Sequence, residues 1–168
     1  MLFGIVQGGL DKKLRQQSLE FVQQRQVDGV AIGGLSVGEP RKEMHMMLDF
    51  LAPLYDPQKI RYLMGVGEPV DMRHAIRRGT DMFDCVLPTR NGRHGSVWVG
   101  KDKKINLKNL EYAEDPKPVD KGCDCHTCQR GYGRAFLRQL FKSEDPLAGK
   151  LTSIHNLRYL QRICENYR

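Results

Sequence analysis

No stretch of this 168-residue sequence approaches the ~20 consecutive apolar residues that a membrane-spanning helix needs. The opening MLFGIVQGG lacks the basic start and small-residue cleavage site of a secretory signal. A disulfide framework is missing too. Of the five cysteines, Cys123, Cys125 and Cys128 crowd into one short loop, while Cys85 and Cys164 stand alone. These absences argue against a membrane protein and against a disulfide-built secreted domain; the expectation is a cytoplasmic protein in a reducing compartment. What is present is the apolar fraction of an ordinary globular chain, 40%, and a formal charge of +7. Three thiolates around one divalent zinc would leave that charge at about +6, so an anionic partner fits, although basicity alone does not name it.

From residue 1 to about 90 one unit recurs: a short apolar run, a glycine-rich or polar end, then an amphipathic helix. The runs are Phe3 to Val6, Gly29 to Ile32, Ile60 to Met64 and Met82 to Leu87. The predicted helices are Lys12 to Gln26, Arg41 to Leu54 and Val70 to Arg78. Four strands separated by helices imply a parallel α/β sheet, either a small open one or half of an eight-unit barrel. In such folds the working residues collect where strands end. After residue 95 the rhythm changes. Ser96 to Gly100 and Lys104 to Leu107 read as a hairpin, Glu111 to Lys121 as a charged linker, and Gly133 to Phe141 and Ile154 to Asn166 as helices. The expected organisation is therefore residues 1–100 as the βα region and 101–168 as a hairpin, linker and metal-binding helical subdomain.

The CxCxxC cluster can direct three sulfurs to one centre, and a tetrahedral structural zinc then needs one more ligand. His126 and His155 are the candidates. His155 is favoured because it opens a helix able to dock on the loop, whereas the ring of His126, between two ligands, would point outward. Three cysteines and one histidine leave no position for substrate water, which excludes a zinc hydrolase.

Asp84 falls in an apolar run, where an unpartnered charge is costly. It is either a nucleophile or acid/base group, or a structural aspartate satisfied by backbone donors or by Arg90. Cys85 reads as a small core residue. Gln7, beside Gly8 and Gly9, and the Gly33-Gly34 backbone together present groups suited to the polar edge of a heterocycle, which Met64 could cover. Thr89 to Gly95 reads as a basic loop that places Arg90 and Arg93 beside Asp84, an arrangement suited to phosphates.

In order along the chain, these pieces resemble the C-terminal half of the bacterial tRNA-guanine transglycosylases. The match runs through Phe3-Gly4-Ile5-Val6-Gln7-Gly8, Gly33-Gly34-Leu35-Ser36-Val37-Gly38-Glu39, Arg61-Tyr62-Leu63-Met64-Gly65-Val66-Gly67, Met82 to Arg90, the CxCxxC cluster and Ile154-His155-Asn156-Leu157-Arg158. The resemblance implies the second half, four βα units, of an irregular (β/α)8 TIM barrel with a zinc-binding subdomain. It implies replacement of the wobble guanine of tRNA by a 7-deazaguanine through a covalent Asp84–ribose intermediate. Gln7, Gly34 and Leu35 would read the base edge and Met64 its face. Gly65, Val66, Gly67, Glu68, Pro69, Val70 and Asp71, with Thr89, Arg90, Asn91, Gly92 and Arg93, would contact the anticodon loop. Zinc would be held by Cys123, Cys125, Cys128 and His155. Val37 resembles the bacterial form, whose pocket takes 7-aminomethyl-7-deazaguanine.

The family's general acid/base aspartate and a further base-binding aspartate have no match in these residues. The chain by itself is therefore expected to be catalytically poor, and its uncovered strand edges are expected to aggregate, to pair with another copy or to need a complementary fragment. Full-length relatives are expected to be homodimers. A non-catalytic tRNA-binding or scaffold subunit of the same fold is the alternative, and it has no need of Asp84.

Overall fold

The computed structural model describes residues 1–167. They form two compact units, Met1–Cys85 (with Tyr167) and Val86–Asn166. The division falls before the hairpin, whereas composition alone placed it near residue 100.

In the first unit the strands are β1 (Phe3–Val6), β2 (Gly29–Ile32), β3 (Ile60–Leu63) and β4 (Met82–Phe83), with helices α1 (Lys12–Gln23), α2 (Arg41–Leu51) and α3 (Pro69–Ile76) between them. All pairings are parallel in the order β1-β2-β3-β4, so every strand ends on the same side. The central strand β2 is buried along its whole length, as a strand covered on both faces must be. Leu19, Val22, Leu48, Leu51, Leu63 and Ala75 pack around it. Gly29 is required by this packing, because a Cβ there would meet the Phe3 ring and, at 2.6 Å, the Ile60 carbonyl oxygen. α1 starts where Asp11 accepts from the amides of Lys13 (2.8 Å) and Leu14 (3.0 Å), an N-cap that satisfies two otherwise orphaned donors.

One expected strand is cut short. β4 ends at Phe83, and Leu87–Arg93 forms α4 instead of a strand end and basic loop. Pro88 lies in the first turn of that helix, where its missing N–H costs nothing and its fixed φ is already helical.

The second unit continues with the antiparallel hairpin β5 (Ser96–Val99) and β6 (Lys103–Asn106), followed by α5 (His126–Gln129), α6 (Arg134–Lys142) and α7 (Leu147–Glu165). α7 opens seven residues before the expected start, so His155 sits well inside the helix and not at its beginning. The Asp145-Pro146 pair supplies the start, with the Leu147 amide donating to Asp145 Oδ1 at 2.8 Å. Val97, Val99, Leu107, Val119, Leu137 and Leu151 form the core of this unit around the three clustered cysteines. No helix among the described residues is long and apolar enough to cross a membrane.

Candidate functional site

The parallel register places four strand ends on one face of the first unit. Gln7 follows β1, Gly33-Gly34 follows β2, Met64 follows β3 and Asp84 follows β4. Contrary to the expectation of a costly buried charge, Asp84 lies just beyond β4 and is exposed. It is nevertheless held. The Tyr62 hydroxyl donates to Asp84 Oδ1 at 2.7 Å, and the Gly65 amide donates to the same oxygen at 2.9 Å. The Gly65 amide first, and then the Tyr62 hydroxyl, keep the Asp84 carboxyl below its ordinary pKa, so it is an anion at neutral pH. Of the two expected ways of satisfying it, the backbone donor is present at Gly65; Arg90 is exposed on α4 and belongs to the second unit.

The Gln7 side-chain amide packs directly against Gly33 and Gly34, and a Cβ on either glycine would collide with it. Gly34 also has φ +60, in the left-handed region that favours glycine. Leu35 is buried at 3% exposure, while Val37 stands out at 78%. The loop between them is clamped by Glu39, whose carboxylate accepts from the Ser36 and Val37 amides. Met64 is half-buried, and its amide donates to the Ile32 carbonyl at 3.2 Å.

The remaining expected contact residues divide. In the Gly65–Asp71 segment, Val66, Gly67, Pro69 and Asp71 are buried. Asp71 is committed internally, accepting from Arg41 and His45 at 2.8 Å each. Gly65 and Val70 are exposed and Glu68 is half-buried. On α4, Arg90 and Arg93 are exposed, Thr89 and Asn91 are half-buried, and Gly92 packs against Ser153, where a Cβ would lie 2.7 Å from its amide nitrogen.

The metal centre lies wholly in the second unit. Cys123, Cys125 and Cys128 place their sulfurs 3.6, 3.6 and 3.5 Å from His155 Nδ1. All four ligand atoms fall within 4.8 Å of one another. A tetrahedral zinc, with bonds of ~2.3 Å to sulfur and ~2.05 Å to nitrogen, has a sulfur-to-nitrogen edge of about 3.6 Å. The site therefore fits one closed, structural zinc ion. His155 Nε2 lies 2.8 Å from the Trp98 carbonyl oxygen, which accepts its proton and leaves Nδ1 free to ligate. Gln129 Nε2 donates to the Cys123 carbonyl at 3.0 Å and braces the loop. Hydrogen bonds from Cys125 and Cys128 hold the Cys123 thiol far below its usual range, while those to Cys123 and Cys125 push Cys128 up. Burial opposes a charged His155 ring, while hydrogen bonds to Cys123 and Cys125 raise its pKa to about 9, so zinc binding at Nδ1 displaces a proton. His126 is exposed, its ring 6.2 Å from that of Tyr132, and it takes no part in the cluster.

Three residues escaped the sequence reading. Arg15 is fully buried and donates to the carbonyls of Gly9 (2.8 Å), Val6 (3.1 Å), Gly33 (2.6 Å) and Gly34 (2.9 Å), tying the first two strand ends together. Its position on the buried face of α1, in phase with Leu19 and Val22, was the available signal. Tyr62 pairs in register with Met82, which brings it beside Asp84; spacing along the chain carries no hint of this. Asn156 is fully buried, accepting from the Trp98 amide at 3.2 Å and donating to Pro88 and Ser96 carbonyls at 3.0 Å each.

An anionic carboxylate on a parallel strand-end face, together with a closed Cys3His centre in a separate unit, defines a metal-stapled α/β protein of the half-barrel type. The family profile described as TGT, queuine tRNA-ribosyltransferase, matches residues 1–168, and the chain belongs to that family. It is 50% identical over 167 residues to the queuine tRNA-ribosyltransferase of Herpetosiphon aurantiacus, covering 99% of this chain and 42% of the relative. The Mannheimia succiniciproducens protein of the same name is also 50% identical, with 99% of this chain and 44% of the relative covered. That of Lawsonia intracellularis is 53% identical over 163 residues, covering 97% and 43%. The chain thus spans less than half the length of these curated relatives.

Proposed function

We propose that this chain supplies the nucleophile, part of the base pocket and the zinc-stapled subdomain of a tRNA-guanine transglycosylase acting in queuosine biosynthesis in the cytoplasm. The observation that carries the reading is the exposed, anionic Asp84 at a strand end, aimed by two donors onto the face that also bears Gln7 and Gly34. A free carboxylate oxygen attacks C1′ of the wobble ribose as the glycosidic bond breaks and the pair of electrons leaves with guanine. The incoming base then displaces the carboxylate at the same carbon, restoring the original configuration. Gln7 and the backbone at Gly34 and Leu35 bind the base edge, and Met64 covers its face. Exposed Gly65, Val70, Arg90 and Arg93 meet the anticodon loop. Zinc stabilises the second unit and takes no part in the reaction.

The substrate reading, guanine replaced by 7-aminomethyl-7-deazaguanine, rests on the resemblance at Val37, and the homodimer on that of the full-length relatives. Retention of Asp84 in this geometry favours an enzyme over a non-catalytic scaffold subunit, which would need no aimed carboxylate.

Exchange of labelled guanine into unmodified tRNA tests the proposal. The 168-residue polypeptide by itself is expected to exchange poorly, because the family's general acid/base is unmatched in it. Mixed with the preceding part of the Herpetosiphon aurantiacus relative, it should support exchange that Asp84→Asn abolishes while one zinc per chain persists. Exchange that survives Asp84→Asn overturns the assignment.

A further inference from the structure

The second unit carries a cleft of about 510 Å³ whose lining contains none of the zinc ligands and meets the proposed anticodon-contacting residues only at Thr89 and Arg93. Its volume lies within the ~300–1,000 Å³ range of ligand clefts. Arg93 from the end of α4, Lys108 from the segment after β6 and Lys150 from α7 line it, with Phe141 as part of its wall. A second depression of about 180 Å³ shares Lys108 and Phe141 and adds Arg138 and Lys142. The two adjoin at Lys108 and Phe141, and together they present five cationic side chains.

The groove is built by packing. Arg138, Phe141 and Lys142 stand at i, i+3 and i+4 on α6, and so share one face of that helix. Lys108 Nζ sits 5.3 Å from the centroid of the Phe141 ring, and Arg138 Nε donates to the Asn109 carbonyl at 3.0 Å. Two carboxylates line the larger cleft, Glu144 and Asp145. Asp145 is already engaged, accepting from the Leu147 amide at 2.8 Å. Five cations against two carboxylates leave the surface around Phe141 net positive.

We propose that this groove binds the phosphodiester backbone of the RNA substrate, outside the nucleotide that reacts. The inference rests on the transglycosylase reading and extends it to a second contact region. Cations spread over two adjoining depressions suit the successive phosphates of a strand better than a single small anion, which one compact pocket would hold. Phosphate contacts of this kind set register and affinity without reading sequence.

The test is binding of an unmodified tRNA transcript to the full zinc-loaded chain across a salt series. Lys108→Ala/Lys150→Ala should weaken binding about tenfold at ~0.1 M salt, and the dependence of log affinity on log salt should become shallower by about 1.5. Both residues are exposed, and a retained equivalent of zinc establishes that the unit is intact. Lys12→Ala/Lys13→Ala on α1 should leave both quantities unchanged. Full affinity and an unchanged slope in the Lys108/Lys150 variant would overturn the groove while leaving the enzyme reading in place. Equal weakening by the α1 variant would show diffuse attraction and would also overturn it. Absence of tRNA binding by the unsubstituted chain would overturn the groove as well, while exchange by the mixed halves would still decide the transglycosylase reading.

Discussion

The Tyr62 hydroxyl donates to Asp84 Oδ1 at 2.7 Å, so a residue inside one strand aims the carboxylate that follows the next. Tyr62→Phe removes that donor and leaves the Gly65 amide in place. Since both donors hold the Asp84 pKa down, the variant should raise it toward the ordinary carboxylate value of ~3.9. A depressed folded-state pKa contributes stability above the unfolded value that is lost as pH falls through the folded one, so the variant shifts that loss to higher pH. Titrating the Asp84 carboxyl carbon by NMR measures this; an unmoved midpoint would show that the hydroxyl does not act on the charge.

His155→Ala removes the single nitrogen ligand and leaves three sulfurs around an open position. Zinc affinity should fall by at least ~100-fold, read by competition with a chromophoric chelator, and the second unit should lose its cooperative melt. Lowering the pH should release zinc from the unsubstituted chain as protons compete for the thiolates. His126→Ala, at an exposed ring, should keep a full equivalent of zinc.

Arg15→Met leaves four carbonyls without their buried cationic donor. A loss of ~2–4 kcal/mol is expected, seen in urea unfolding and in faster amide exchange along β2. Arg15→Lys keeps the charge but cannot span all four acceptors, and should fall between. Equal stability of the three proteins would remove Arg15 from its bridging role.

Glu144 has φ +56, just past the end of α6, where a side chain is strained and glycine is favoured. Glu144→Gly should stabilise the second unit by ~0.5–1 kcal/mol, and its thermal midpoint should rise. A fall would mean that the carboxylate makes a compensating interaction.

The parallel sheet was legible because each strand is an apolar run followed by a glycine or polar end, and those ends carry Gln7, Gly34, Met64 and Asp84. The metal ligands were legible for a different reason: cysteines at CxCxxC spacing leave little else to explain them. Asp84 misled because apolar Met82-Phe83 and Cys85-Val86-Leu87 surround it, while Pro88 quietly converts the later residues into a helix. Arg15 and Tyr62 are hard to read for a shared physical reason: a buried guanidinium on α1 and a strand tyrosine acquire their partners only through tertiary packing. Arg15 shows only its place in phase with Leu19 and Val22, and Tyr62 shows nothing in local spacing.

The zinc ligands are drawn from the two ends of a long stretch of chain, since Cys123 and His155 are 32 residues apart. An ion that joins them acts as a clasp on that stretch, limiting the wandering of the unfolded chain much as a covalent cross-link would. Thiol reductants leave this clasp closed, whereas chelators and acid undo it. α6 and the turn into α7 lie inside the clasped stretch, and with them Arg138, Phe141, Lys142 and Lys150. Removal of the metal should therefore loosen the part of the basic surface that α6 and the start of α7 carry, while Arg93 and Lys108 lie outside the clasped stretch.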